Sequence, residues 1–144
     1  MKEKNIKKKI NLKYLIICDD IRHEVGNKIS LIGIYNESIT VQTIPFILPK
    51  LCFHLVFDSF DHIENIEMKI ISPDNQELFS SKPSKVEKLQ NNDDGKISLL
   101  DLILGNISFP KEGLYRLICI FDENKDLTQE IEFNVQKEKP AIGK

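Results

Sequence analysis

Two apolar runs, residues 15–18 and 29–34, flank a charged segment that closes on Gly26 and Asn27. That arrangement predicts two strands joined at a polar turn. The first strand, expected over residues 14–19, is nearly continuous in Leu and Ile, which suits burial on both faces or a place at the centre of a sheet. The second, over 28–35, puts Ile29, Leu31, Gly33 and Tyr35 on one face and Ser30, Ile32 and Ile34 on the other. Gly33 inside a strand marks a bulge or a close backbone approach. A third short strand over 38–42 follows the turn signal of Asn36 and Glu37.

Pro45 and Pro49 bracket Phe46, Ile47 and Leu48. Proline donates nothing to a ladder, so this piece reads as a sheet edge or a crossover between sheets. Residues 51–58 then alternate, with Leu51, Phe53, Leu55 and Phe57 on the core face. Cys52, His54, Val56 and Asp58 point outward. Ile66, Met68 and Ile70 repeat the pattern, and the SPDN turn at 72–75 returns the chain through 76–80 as a second hairpin. Between 81 and 96 the apolar period is lost, and NNDDGK signals a turn or loop. Ser84 with Glu87 fits a capping box opening one helical turn, and Val86 with Leu89 fits an irregular edge strand; both readings stay open.

Apolar character resumes over 96–104. Next, Tyr115, Leu117, Cys119 and Phe121 share one face of a strand, and Arg116, Ile118, Ile120 and Asp122 share the other. After a hairpin turn at ENKD, residues 130–136 turn Ile131, Phe133 and Val135 inward and Glu130, Glu132, Asn134 and Gln136 outward. Strand-like runs between turns, with no long helical period, predict an all-β fold: an antiparallel two-sheet sandwich, immunoglobulin-like in architecture. FPKEGLYRL resembles the corner of such sandwiches, which implies a buried Tyr115 whose hydroxyl bonds to backbone between Gly105 and Gly113. With no Trp and no convincing inter-sheet cysteine pair, an antibody-type domain is not expected. The organisation expected is a basic flexible arm over 1–11, one domain over 12–136 and a polar tail over 137–144.

ICDDIRHE followed by GNKISLIGIY, IPFILPKLCF and FPKEGLYRLICIFD resembles an uncharacterised bacterial family known only as a domain of unknown function. The resemblance spans about residues 15 to 135. It implies a small β-sandwich and brings no activity, cofactor or catalytic residue with it.

Composition narrows the function classes. A chain of 144 residues suffices for one core, burying roughly 70% of the unfolded surface. The formal charge of -2 argues against a protein built as a whole to hold nucleic acid. The Lys-rich start precedes an apolar run too short for a secretory signal and stopped by Asp19 and Asp20. No run approaches the length of a membrane span, so the chain reads as cytoplasmic. Cys18, Cys52 and Cys119 each sit in an apolar run, which predicts buried reduced thiols and neither a disulfide framework nor a zinc site.

Asp19, Asp20, His23 and Glu24 form the densest set of metal-type ligands, on a segment expected to be a turn. The plainer reading is a solvated turn with Arg22 paired to a nearby carboxylate. His54, Asp58, Asp61 and His62 form a second set, but His54 and Asp58 lie roughly 13 Å apart along an extended strand. Nucleophile elbows, phosphate-binding loops and zinc-protease motifs are not recognisable, so no catalytic residue, metal or cofactor is expected. The reading that remains is a non-catalytic module that binds another protein, with weak candidate contacts at Asp20, Arg22, Glu24, Ile118 and Ile120. Ile118 and Ile120 qualify only if the second sheet leaves them exposed. The alternatives are a metal-dependent enzyme using residues 19–24, or a binder of small ligands or nucleic acid.

Overall fold

The computed structural model describes residues 10–58, 63–85 and 97–139. They form ten strands: β1 (Leu12–Glu24), β2 (Lys28–Ile34), β3 (Ser38–Val41), β4 (Phe46–Asp58), β5 (Asn65–Ile71), β6 (Glu77–Ser80), β7 (Ser84–Lys85), β8 (Ile97–Phe109), β9 (Gly113–Phe121) and β10 (Asn124–Lys137). One sheet runs β2-β1-β4-β8. The other runs β3-β10-β9-β5-β6, with β7 also on β5.

The alternation read from the sequence locates the core. Leu51, Phe53, Leu55 and Phe57 of β4 face Tyr115, Leu117, Cys119 and Phe121 of β9 and Phe133 and Val135 of β10, in one buried cluster. Aromatic rings bridge the sheets: Phe53 meets Phe133 at 5.3 Å, Phe57 meets Phe121 at 5.4 Å, and Phe109 meets Tyr115 at 5.3 Å. Each such buried ring contributes about 1.5–3 kcal/mol. The corner forms as expected. Tyr115 is fully buried, and its hydroxyl donates to the Lys111 carbonyl at 2.6 Å.

Several expectations change. Pairing is antiparallel except at one place, where β3 lies parallel to β10, because the chain leaves the first sheet after β2 and enters the second as β3. Residues 46–48 are no crossover. They begin β4, which over 46–51 is paired with β8 alone, so Pro49 does sit on an open side. The first strand runs on to Glu24, and the turn shrinks to Val25, Gly26 and Asn27, the last two with positive φ. The last hairpin turns at Asp122 and Glu123, both left-handed, one residue before the expected ENKD. Ile10 and Asn11, assigned to the arm, are anchored: Ile10 is buried, and the Asn11 carbonyl accepts the Asp58 N–H at 2.8 Å. Ser84 and Lys85 pair with β5; residues 86–96 of the undecided segment lie outside the described residues.

Candidate functional site

The face of the β2-β1-β4-β8 sheet turned away from the core can be assembled from the register. Ile34, Cys18, Cys52 and Ile103 stand in one row across the four strands; Ile16, His54 and Asp101 form the next; Tyr14, Val56 and Leu99 the next. Cys18, Cys52, His54 and Val56 in the middle are buried, outside the main core cluster. Around them Ile34 is 53% exposed, Ile103 50%, Tyr14 49% and Leu99 38%. This is apolar surface on both sides of a sheet, and it explains why residues 15–18 and 51–56 read as continuous apolar runs instead of clean alternation.

His54 falls on the predicted outward face but is only 3% exposed. Directly opposite on β8 stands Asp101, whose Oδ1 lies 2.5 Å from His54 Nδ1. The Tyr14 ring lies 6.3 Å from the imidazole, tilted over it. A carboxylate on Nδ1 fixes an imidazole's orientation and tautomer, as in catalytic and metal sites alike. What would complete either site is a nucleophile or further ligands. The neighbouring thiols do not serve: burial pushes both Cys18 and Cys52 up from the ordinary thiol range, so they stay protonated near neutrality. Among the described residues no three His, Cys, Asp or Glu side chains are placed to hold a metal ion.

Residues 19–24 lie in β1, paired to β2, rather than in a turn. Their side chains do not converge. Asp20 takes Lys50 Nζ at 2.5 Å and Arg22 Nε at 3.2 Å, and these two bonds hold its carboxyl below the usual range. The expected partner for Arg22 is therefore Asp20. Asp19 turns the other way, accepting the Tyr35 hydroxyl at 2.9 Å; burial first, and this bond second, push Tyr35 up to about 12. A Cβ on Gly33, which has φ +69°, would overlap the Asp19 carboxylate, so the close approach read from the sequence is real. His23 and Glu24 are exposed near the hairpin end. In a regular strand Cys18 and Ile21 would face opposite sides. Here they nonetheless share a small buried cluster with Cys52, with Leu31 packed against it.

Ile118 and Ile120 are half-buried on the outer face of the other sheet. Ile118 stands between Glu130 and Lys69, and Ile120 beside Glu67. Ion pairs of Arg116 with Glu130 at 2.6 Å and of Lys69 with Glu67 and Glu77 at 3.7 and 3.6 Å border them. The more exposed apolar residues Tyr14, Ile34, Leu99 and Ile103 stand on the outer face of the other sheet. Asp58 binds Asn11 and Lys13, away from His54, and Asp61 and His62 lie outside the described residues. The residues missed by the sequence reading are Tyr14, Leu99, Asp101 and Ile103. The one usable signal was Asp101, a single charge inside ISLLDLIL.

A cavity of about 120 Å³ opens between the sheets beside Tyr35, Glu37 and Phe133. It is well short of the roughly 300 Å³ at which ligand pockets begin.

Residues 13–136 match the profile of a family described as a family of unknown function (DUF6941). No curated protein matches the chain. Among solved structures, it is similar to an immunoglobulin-like protein from Pseudomonas aeruginosa, at 10% identity over 88% of this chain and 96% of that one, with a TM-score of 0.37. Among the described residues no helix is long and apolar enough to cross a membrane.

Proposed function

Because the chain belongs to this family of unknown function, whose description assigns no activity, we propose from its own surface that it is a non-catalytic accessory module that binds a protein partner. The docking surface is the outer face of the β2-β1-β4-β8 sheet, and the setting is the cytoplasm of a bacterial cell or phage-infected host. One observation carries the reading: Tyr14, Ile34, Leu99 and Ile103 are all exposed on a single sheet face around a buried centre. Large apolar side chains exposed together on one face mark interaction sites, and aromatic anchors such as Tyr14 are enriched in them. The protonated thiols beside His54 favour contact over nucleophilic chemistry.

The test is capture of partners by the tagged full-length chain from the cells that make it, compared with Ile34→Lys, Tyr14→Ser and the control Ile118→Ser. Loss of the same partner in the first two, with denaturation midpoints kept, supports the reading. Retention of every partner in the folded Ile34→Lys variant refutes this face as the docking surface.

A further inference from the structure

Backbone hydrogen bonding fixes which way each residue of β8 points its amide. The Tyr35 N–H donates to the Ile17 carbonyl and the Asp58 N–H to the Asn11 carbonyl, so even-numbered residues in β4 from Cys52 onward address β1. Odd-numbered residues of that stretch address β8, where they meet Leu104, Leu102 and Leu100. In an antiparallel ladder the residues between those point the other way. Leu99, Asp101, Ile103 and Gly105 therefore direct their N–H and C=O groups outward, at the end of the sheet among the described residues.

Sheet edges are ordinarily blunted by shortness, lysine, proline or a bulge. The other edges are: β3 and β6 have 4 residues each, and β2 has 7, broken at Gly33. Strand β8 has 13 residues, with no Lys, Arg or Pro, and its one charge, Asp101, is engaged by His54. Its first irregularity is Asn106, with φ +51°.

We infer that β8 is a pairing edge and that its occupant is β8 of a second copy of this chain, antiparallel about a two-fold axis. Register selects the arrangement. Setting Asp101 opposite Ile103 of the other copy, and Leu102 opposite its own counterpart, uses the whole regular stretch and forms about eight new N–H···O bonds. Shifting one step places the two Asp101 carboxylates directly opposite each other, which like charges oppose. Shifting the other way runs into Asn106. In the selected register the two Ile103 side chains, each half exposed in the single chain, come within diagonal reach. The strand carries no net cationic or anionic excess beyond that engaged aspartate, so two copies meet without a repelling row of charge. Leu99 and Ile103 also belong to the face proposed above, but the pairing rests on the outward backbone groups of β8 and not on that reading.

Sedimentation of the full-length chain over a range of concentrations, with amide hydrogen exchange, tests it. A twofold mass is expected at high concentration, with slow exchange at Leu99, Asp101, Ile103 and Gly105. Ile103→Pro removes an outward N–H and no bond to β4, and Leu99→Lys blunts the edge without touching the backbone. Both are expected to halve the mass while circular dichroism is unchanged, and Ile34→Lys, three strands away, is expected to keep the dimer. A wild-type chain that stays monomeric overturns the inference, even if those amides are protected, because its own chain would then cover the edge. A dimer that survives Leu99→Lys, or folded Ile103→Pro, overturns it as well.

Discussion

Replacing Tyr115 with Phe removes one oxygen and leaves the ring, so its cost isolates the corner hydrogen bond. The ring keeps its edge contact with Phe109 at 5.3 Å and its stacking on Phe133 at 5.7 Å. What disappears is the 2.6 Å bond to the Lys111 carbonyl and the weaker 3.4 Å bond accepted from the Lys111 N–H. A neutral hydrogen bond is worth about 1 kcal/mol net, and a buried acceptor left unpaired costs about 1–3. Lys111 is exposed, so water reaches part of its backbone in the variant, and the lower half of that range, about 1–2 kcal/mol, is the expected loss. For a urea slope of about 2 kcal/mol per molar, the midpoint falls by roughly 0.5–1 M. Tyr115→Ala, which also empties the ring's place between Phe109 and Phe133, is expected to cost about 3–5 kcal/mol. Equilibrium urea denaturation followed by circular dichroism measures both. A midpoint in Tyr115→Phe equal to wild type, with an unchanged slope, refutes the reasoning, because the bond at the corner would then contribute nothing.

The remaining predictions concern the thiols, the Asp20 cluster and Gly33. All three cysteines are buried, and burial alone raises Cys119 to about 12; a thiol reagent is expected to label them only after denaturant is added, and fast native labelling of all three contradicts the packing. Asp20 sits below its ordinary range in the folded chain, so its ion pairs add stability above the usual carboxylate value of about 3.9 that is lost as pH falls through the folded value. Asp20→Asn is therefore expected to flatten the acid-side decline of the urea midpoint, and an unaltered decline argues against the assignment. Gly33→Ala combines a left-handed backbone with displacement of the Asp19 carboxylate, an expected loss of about 1–2 kcal/mol. The same variant should bring the phenolate titration of Tyr35 down from about 12 toward 10, and a Tyr35 titration that does not move separates backbone strain from loss of the bond to Asp19.

The fold was legible because inward positions repeat every second residue in β4, β5, β9 and β10, and because turn chemistry at Gly26, Asn27 and 72–75 punctuates them. Period-two reading fails where a strand is apolar on both faces. The run at 15–18 does not say which face meets the core, and so Tyr14 and Ile16 were invisible as surface. Asp101 and His54 are 47 residues apart in the chain, a separation across which no local pattern signals a contact. Ile118 and Ile120 look exposed in isolation because they alternate with core residues. Their half-burial comes from cross-strand neighbours on β5 and β10, known only once the sheet order is known. Residues 19–24 look like a turn by charge, yet opposite partners on β2 keep them extended.

The parallel contact of β3 with β10 sets a timetable. Ser38 is held by Asn134, 96 positions later, at 3.1 Å, and Val41 lies beside Lys137. During synthesis β1 and β2 can zip together as soon as they emerge, but β3 must wait with its edge unsatisfied until almost everything after it has left the ribosome. Closure of loops this long is what slows folding in sheet proteins. The edge of β3 therefore stands open until β10 arrives to close it.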